Sequence, residues 1–172
     1  MSELDRIDRK ILHLLQREGR ISLTELGERV GLSTSPCAER VKRLERRGVI
    51  LGYHARLDPL AIDKPLLVFV QITLSSKSED VFETIKRELT LMPEVMECHL
   101  VSGSFDYLVK ARISAMAEYR TLLGDILQKI PVAAQSDSYV VMEEIMESGQ
   151  IVVPGGCWRR LPDVHPIVCT CE

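Results

Sequence analysis

Apolar residues recur at helical spacing in the first fifty residues of the chain and at strand spacing further on. Between residues 4 and 48, three segments place apolar side chains three or four positions apart, with breaks near Gly19 and Gly31. Ser22 followed three residues later by Glu25 is a capping pattern that favours a helix start. We therefore predict three consecutive helices, of which the last two form a helix-turn-helix and the first supports it.

The third predicted helix, residues 33–48, combines a buried stripe with a basic flank. At 100° per residue, one face carries the apolar stripe, Cys37, Val41 and Leu44. Three arginines cluster within about 60° of each other beside that stripe: Arg40, Arg43 and Arg47. Lys42 and Arg46 point elsewhere. Either Ser33 or Ser35 caps this helix, and Ser35 would put proline at the favoured first position.

Beyond residue 48 the pattern alternates between strands and helices. Strands are predicted at 49–57, 66–74, 95–101, 107–113 and 134–145, and helices at 80–91 and 116–130. From residue 66 the order is βαββαβ, which predicts a ferredoxin-like sheet covered by two helices. The fold class is therefore α+β. The expected divisions are a helix-turn-helix domain at 1–50, a linker at 51–63, a βαββαβ domain at 64–150, and a disordered tail at 151–172.

Charge is divided unequally between these parts. The 172 residues have a net charge of −3, yet residues 1–60 carry 12 Lys and Arg against 9 Asp and Glu, while residues 61–150 carry 8 against 14. A local basic surface, rather than the total charge, decides phosphate binding. An α-helix fits the major groove of DNA. The candidate contacts are Ser33, Thr34, Ser35, Arg40, Lys42, Arg43 and Arg47. The alternative is a solvated charged helix face.

A second candidate site is the turn at residues 102–106. Gly103 lets the backbone approach a ligand, neighbouring small residues leave N–H groups open for a carboxylate, and Asp106 is able to pair with an ammonium. Those are the two charges of a free amino acid. From spacing alone, an ordinary hairpin turn capped by Asp106 is the competing interpretation.

The sequence gives little support for disulfides, a metal site, catalysis, a membrane span or export. Five cysteines at irregular spacing predict no disulfide framework, and Cys157, Cys169 and Cys171 with His165 lack zinc-site spacing, so neither metal nor cofactor is expected. The sequence contains no P-loop, dinucleotide fingerprint or nucleophile elbow, so no enzyme is predicted. With no long apolar run and an acidic N-terminal segment, we expect no membrane span, no export, and a cytoplasmic, nucleoid-associated protein.

Several motifs in order resemble the Lrp/AsnC (feast/famine) transcription regulators of bacteria, over about residues 3–150. The matching runs are Asp5-Arg6-Ile7-Asp8, Gly31-Leu32-Ser33, Pro36-Cys37, Glu39-Arg40-Val41 and Gly52-Tyr53, then Leu67–Val70, Glu97–Gly103 and Tyr139–Glu144. The resemblance is to the leucine-responsive branch in particular. It implies sequence-specific binding of double-stranded DNA, a response to a free amino acid (leucine first), and dimers that assemble into octamers or larger rings.

The resemblance also implies an effector site between dimers, near the turn at residues 103–106. The residues that match positions lining or flanking it are Leu100, Gly103, Ser104, Asp106, Met116, Tyr139, Val140 and Val141. Ser104 stands where close relatives have an acid.

Three other functions are weighed against this one. An amino-acid-processing enzyme would need a positioned base and nucleophile. An RNA-recognition module shares the βαββαβ order but stacks bases on strand aromatics, and residues 107–113 contain a single aromatic residue. A metabolite-binding regulatory subunit of an enzyme complex would not need the arginine flank, and DNA binding distinguishes it from a regulator.

Overall fold

The computed structural model describes residues 4–130 and 132–154, and the backbone of two short paired strands, Trp158–Arg159 and Val168–Cys169. The chain divides into two compact units. The helical unit comprises Met1–Ala55 and Met146–Glu172, and the sheet unit comprises Arg56–Ile145. The predicted disorder of the tail falls, from residue 155 onward, almost entirely on residues outside those described.

Three helices form the body of the helical unit: α1 (Arg6–Arg17), α2 (Leu23–Val30) and α3 (Thr34–Arg46). The Asp5 side chain caps α1 by accepting the Asp8 backbone N–H at 2.8 Å, and Ser22 caps α2 by accepting the Glu25 N–H at 3.1 Å. The predicted supporting helix and helix-turn-helix are confirmed. Their shared core is Ile11, Leu12, Leu26, Val30, Cys37, Val41 and Leu44.

The turn between α2 and α3 is tight because two glycines permit it. Gly31 has a φ of +77°, a left-handed conformation that glycine adopts without steric cost. Inside α2, a Cβ on Gly27 would lie 2.8 Å from the carbonyl oxygen of Leu32. Of the two predicted caps for α3, the structure uses Ser33, although its side chain makes no capping hydrogen bond.

A segment from beyond the sheet unit completes the helical unit. The Gln16 side chain contacts both backbone groups of Ile151: its Oε1 accepts the N–H at 2.7 Å, and its Nε2 donates to the carbonyl at 3.1 Å. Val153 packs against the core of the three helices. The chain therefore leaves the helical unit, builds the sheet unit, and returns.

The sheet unit has the predicted βαββαβ order. Its elements are β1 (Leu66–Leu74), α4 (Glu79–Thr90), β2 (Val95–Leu100), β3 (Tyr107–Ile113), α5 (Met116–Lys129) and β4 (Ala133–Val140). The strands form one antiparallel sheet in the order β2-β3-β1-β4. This arrangement confirms the ferredoxin-like fold.

Among the described residues, helices cover one face of this sheet. Alternate residues of β1 and β3, such as Val70 and Val109, are fully buried in the core that includes Ile85 of α4 and Ile126 of α5. The residues between them point to the opposite face. That face, here the open sheet face, carries Phe69, Gln71, Leu108, Lys110, Arg112 and Tyr139, and Leu67 points the same way but is buried.

Two strand predictions are wrong in their extent. Residues 49–57 form no strand, because the alternating side chains find no partner strand among the described residues, and Tyr53 instead donates its hydroxyl to Glu45 at 3.0 Å. The last strand ends at Val140 rather than Ile145. Its neighbour β1 begins only after Pro65, which has no N–H to donate to a further paired residue. The hydrogen bond from the Val141 N–H to the Leu67 carbonyl, at 2.9 Å, is therefore where the pairing of β4 with β1 ends.

Candidate functional site

The outward face of α3 is polar, exposed and opposite the buried stripe of that helix. Ser33, Thr34 and Ser35 are exposed at its start, where the first turn leaves backbone N–H groups without helical partners. Further along, four exposed residues lie on the same side at 100° per residue: Ser35, Glu39, Lys42 and Arg46. We define these four as the outward face of α3. Arg47, at the C-cap, is exposed on the flank that also carries Arg40 and Arg43.

Two members of the outward face were missed by sequence reasoning. The Arg46 guanidinium lies 3.1 Å from the Glu39 carboxylate, and both side chains are more than 60% exposed. The signal that identifies them is angular, because the positions half a turn away from Cys37, Val41 and Leu44 must face away from the core. A search for basic residues beside the apolar stripe selects Arg40, Arg43 and Arg47 instead of Glu39 and Arg46.

That other set includes Arg40 and Arg43, which turn back toward α1. Arg40 contacts the carboxylates of Asp5 and Asp8, and Arg43 contacts both oxygens of Asp8 at 3.0 and 2.9 Å. These hydrogen bonds raise the pKa of Arg40, and the backbone N–H of Asp8 together with Arg40 lowers the pKa of Asp5. The assignment of Arg40 and Arg43 as DNA contacts stays a prediction, and within this chain both guanidinium groups have carboxylate partners.

The second candidate region is the loop between β2 and β3. The Val101 N–H donates to the Asp106 carbonyl at 2.9 Å, and Gly103 has a φ of +154°, while Gly103 and Ser104 are exposed. The loop therefore presents small residues to solvent, as expected for a close approach to a ligand.

Asp106 itself points inward rather than to solvent. It is 8% exposed, its Oδ2 accepts the Leu74 N–H at 2.8 Å, and its Oδ1 lies 2.7 Å from the Lys77 ammonium. Lys77 and the Leu74 N–H hold the pKa of Asp106 below its ordinary value. The pairing of Asp106 with the ammonium of an effector stays a prediction, and within this chain the carboxylate is paired with Lys77.

The predicted effector residues fall into two groups at opposite ends of the sheet. Leu100 and the loop residues lie where β3 begins, whereas Met116 follows the end of β3 and Val140 and Val141 lie beside the start of β1. The length of β3 separates the groups by about 20 Å at 3.3 Å per residue. Leu100, Met116 and Tyr139 are each at least half exposed. One chain does not bring these residues together.

Other features of the described residues add no further candidate. A shallow groove of about 510 Å³ in the helical unit is lined by Asp5, Arg6, Ile7, Lys10 and Val30. Among the described residues, no three His, Cys, Asp or Glu side chains are grouped to hold a metal ion. Within the same residues, no helix has the length and apolar character needed to cross a bilayer.

Comparison with protein families matches both units. The family model described as the AsnC-type helix-turn-helix domain matches residues 4–45, and that described as the Lrp/AsnC ligand binding domain matches residues 67–151. The leucine-responsive regulatory proteins of Salmonella typhimurium and Escherichia coli are each 53% identical to the chain over 151 residues, which is 88% of this chain and 92% of theirs.

Solved structures agree. A transcriptional regulator from Neisseria meningitidis, crystallised as a complex with L-Met, has a TM-score of 0.81 at 33% identity, covering 87% of this chain and 97% of the other. The leucine response regulatory protein of Mycobacterium tuberculosis has a TM-score of 0.73 at 32% identity, covering 87% of this chain and 100% of the other.

Proposed function

The chain belongs to the Lrp/AsnC family and is an amino-acid-responsive DNA-binding transcription regulator, and on that premise we propose that it reads DNA through the outward face of α3. The observation that carries this proposal is the exposure of Ser35, Lys42 and Arg46 on the side of α3 opposite the core. In helix-turn-helix proteins the second helix lies in the major groove with its first residues at base edges. We expect Ser33 and Thr34 to contact phosphates or bases there.

A salt titration of DNA binding tests this assignment. Lys42→Gln should weaken binding to the chain's own upstream DNA and reduce the slope of log K against log salt by about one for each phosphate that Lys42 neutralises. The matched control is Lys86→Gln, because Lys86 is 73% exposed on α4 of the sheet unit. An unchanged slope for Lys42→Gln with binding intact would contradict the proposal.

We propose leucine as the effector, bound between protomers. The proposal is supported by the separation of the two groups of predicted effector residues, since Leu100, Gly103 and Ser104 at one end of a sheet would need Met116, Tyr139, Val140 and Val141 from another chain to close one site. The exposed Gly103 and Ser104 would offer N–H groups to the effector carboxylate. Asp106 would act by holding the loop in place.

Calorimetric titration with single amino acids tests the effector. Leucine should bind and change the DNA-binding pattern, with methionine as the comparison and glycine as the control that lacks an apolar side chain. Leu100→Ala, at one end of the sheet, and Met116→Ala, at the other, should weaken the same binding event. Leucine binding that is unaffected by both substitutions would place the site elsewhere.

We further propose that the chain assembles through its open sheet face into dimers, and that dimers assemble into octamers or larger rings. Phe69 lies beside Tyr139 on that face, and none of the helices that the structure describes in the sheet unit covers it. Several helix-turn-helix units on one particle would then bind repeated sites at high effective concentration.

The alternative is a metabolite-binding regulatory subunit that does not bind DNA, and failure to bind DNA even at low salt would favour it. We propose that the chain is not an enzyme and is cytoplasmic, in keeping with relatives named as regulators. Turnover of any amino acid by the purified chain would overturn the first of these two proposals.

A further inference from the structure

We infer that Asp8 of α1 is a positioning residue for the recognition of DNA by α3: its buried carboxylate holds Arg40 and Arg43 and thereby fixes the rotation of α3 about its own axis. This inference rests on the proposal that α3 binds DNA. According to this inference, Arg40 and Arg43 orient the outward face of α3 through their contacts with Asp8 and do not contact DNA phosphates.

The burial of Asp8 is the first step. Its side chain is 2% exposed, and a carboxylate so far from water is stable only when paired and hydrogen-bonded. Both partners come from α3: Arg40 Nη1 lies 2.9 Å from Oδ1, and Arg43 Nη2 lies within 3.0 Å of both oxygens. Asp8 thus makes three charge-assisted hydrogen bonds to one helix.

The spacing of the two arginines is the second step. Arg40 and Arg43 are three residues apart and therefore lie side by side on the flank of α3. A single contact would leave the helix able to turn, whereas two contacts to one fixed carboxylate, with the apolar stripe on the adjacent face, define the rotation. The rotation decides whether Ser35, Lys42 and Arg46 face the groove.

The charge available to DNA is the third step. Arg40 is also paired with Asp5, so two guanidinium groups and two carboxylates neutralise each other within the helical unit. A guanidinium that leaves Asp8 for a phosphate would strand a buried carboxylate, which is costly. Asp8 thus limits the number of cations that displace counterions from DNA.

The first experiment measures log K against log salt for specific and random duplexes. Asp8→Asn should steepen the slope by about one per helical unit, because it releases Arg43 while Asp5 still holds Arg40, and should lower the ratio of specific to random binding. Asp125→Asn, which removes the same charge from an exposed position of α5, should change neither. Arg43→Gln should leave the slope unchanged, and a slope reduced by about one would overturn the inference.

A second variant keeps the test decisive if Asp8→Asn does not fold. Replacing Arg40 and Arg43 by lysine keeps both charges but removes the paired guanidinium geometry. The specificity ratio should fall at an unchanged salt slope, and an unchanged ratio would overturn the inference. Failure of the parent chain to bind any DNA would instead refute the proposed function, so the two failures are distinguishable.

Discussion

The Lys77 ammonium lies 2.7 Å from the Asp106 carboxylate, which also accepts the backbone N–H of Leu74 at 2.8 Å. Asp106 therefore joins the loop after β2 to the end of β1 through groups of the chain itself. Because of this pairing, we expect removal of the Asp106 carboxylate to lower the stability of the sheet unit, and any change in the effector response to follow from that loss.

Asp106→Ala should lower the free energy of unfolding of the sheet unit by about 1–3 kcal/mol, because the Leu74 N–H loses its buried acceptor. Lys77→Ala is the matched control and should cost less than about 1 kcal/mol, since Lys77 is 58% exposed and such surface pairs contribute little. Urea unfolding measures both. An Asp106→Ala variant with parental stability and no effector response would instead assign the carboxylate to the ligand.

Two helical glycines should respond to alanine with opposite signs. In Gly27→Ala the new Cβ would lie 2.8 Å from the Leu32 carbonyl oxygen, so the tight turn must shift and the helical unit should be destabilised despite the better helix propensity of alanine. In Gly124→Ala no atom lies within 4 Å of the new Cβ, and stability should rise by about 0.5–1 kcal/mol. Thermal melts of the two variants provide the comparison, and equal shifts would contradict the close approach at Gly27.

Burial of His13 predicts a pH dependence of stability. Burial, and then the nearby Arg17, lower the pKa of His13 below 6.5. The unfolded chain therefore takes up this proton at a higher pH than the folded chain, so the free energy of unfolding should fall as pH falls from about 7.5 to 5. Carboxylates whose pKa values are lowered in the folded chain, which include Asp5, Glu97, Asp106 and Glu118 (pKa of Glu118 about 2), lose their contribution to stability only below about pH 4.5.

Urea unfolding at several pH values measures this effect. His13→Gln removes the titrating group and should flatten the profile between pH 5 and 7.5. A profile as steep as that of the parent would assign the dependence to another histidine.

The proposed dimer interface predicts the effect of a charge on the open sheet face. Phe69→Glu should dissociate the assembly, because burying an unpaired carboxylate between two sheets is unfavourable. Leu91→Glu, at the exposed C-cap of α4, is the control and should leave the mass unchanged. Sedimentation measures the mass, and a parental value for Phe69→Glu would rule out this face as the interface.

Most of the fold is predictable from the sequence because it follows from local periodicity. In both units the buried residues, from Ile11 in α1 to Ile126 in α5, recur along the sequence at the spacing of the helix or strand that contains them. The length of a strand is harder to predict from the sequence. The end of β4 depends on Pro65, which directly precedes β1, the strand with which β4 pairs. The run at 49–57 alternates without a partner strand among the described residues, and alternation alone cannot show that.

The candidate sites are less predictable than the fold. Sequence reasoning assigns the arginines beside the buried stripe of α3 to DNA, yet the partner of Arg43 within the chain is Asp8, 35 residues away. Likewise, Asp106 and Lys77 meet only because β1 and β3 pair. Side chains paired across long sequence separations leave no local pattern, whereas helical angle alone identifies the outward positions Glu39 and Arg46.

The return of the chain to Gln16 at Ile151 makes the sheet unit an insertion within the helical unit. The three helices are bonded covalently to the sheet unit through the segment near Ala55, whereas the segment after Met146 reaches them through the hydrogen bonds between Gln16 and Ile151 and the packing of Val153. A protease nick near Ala55 would therefore leave residues 1–55 attached to the rest of the regulator by noncovalent contacts such as these, and a nick near Met146 would leave the three helices bonded to the sheet unit. The two connections thus have unequal consequences for the integrity of the regulator.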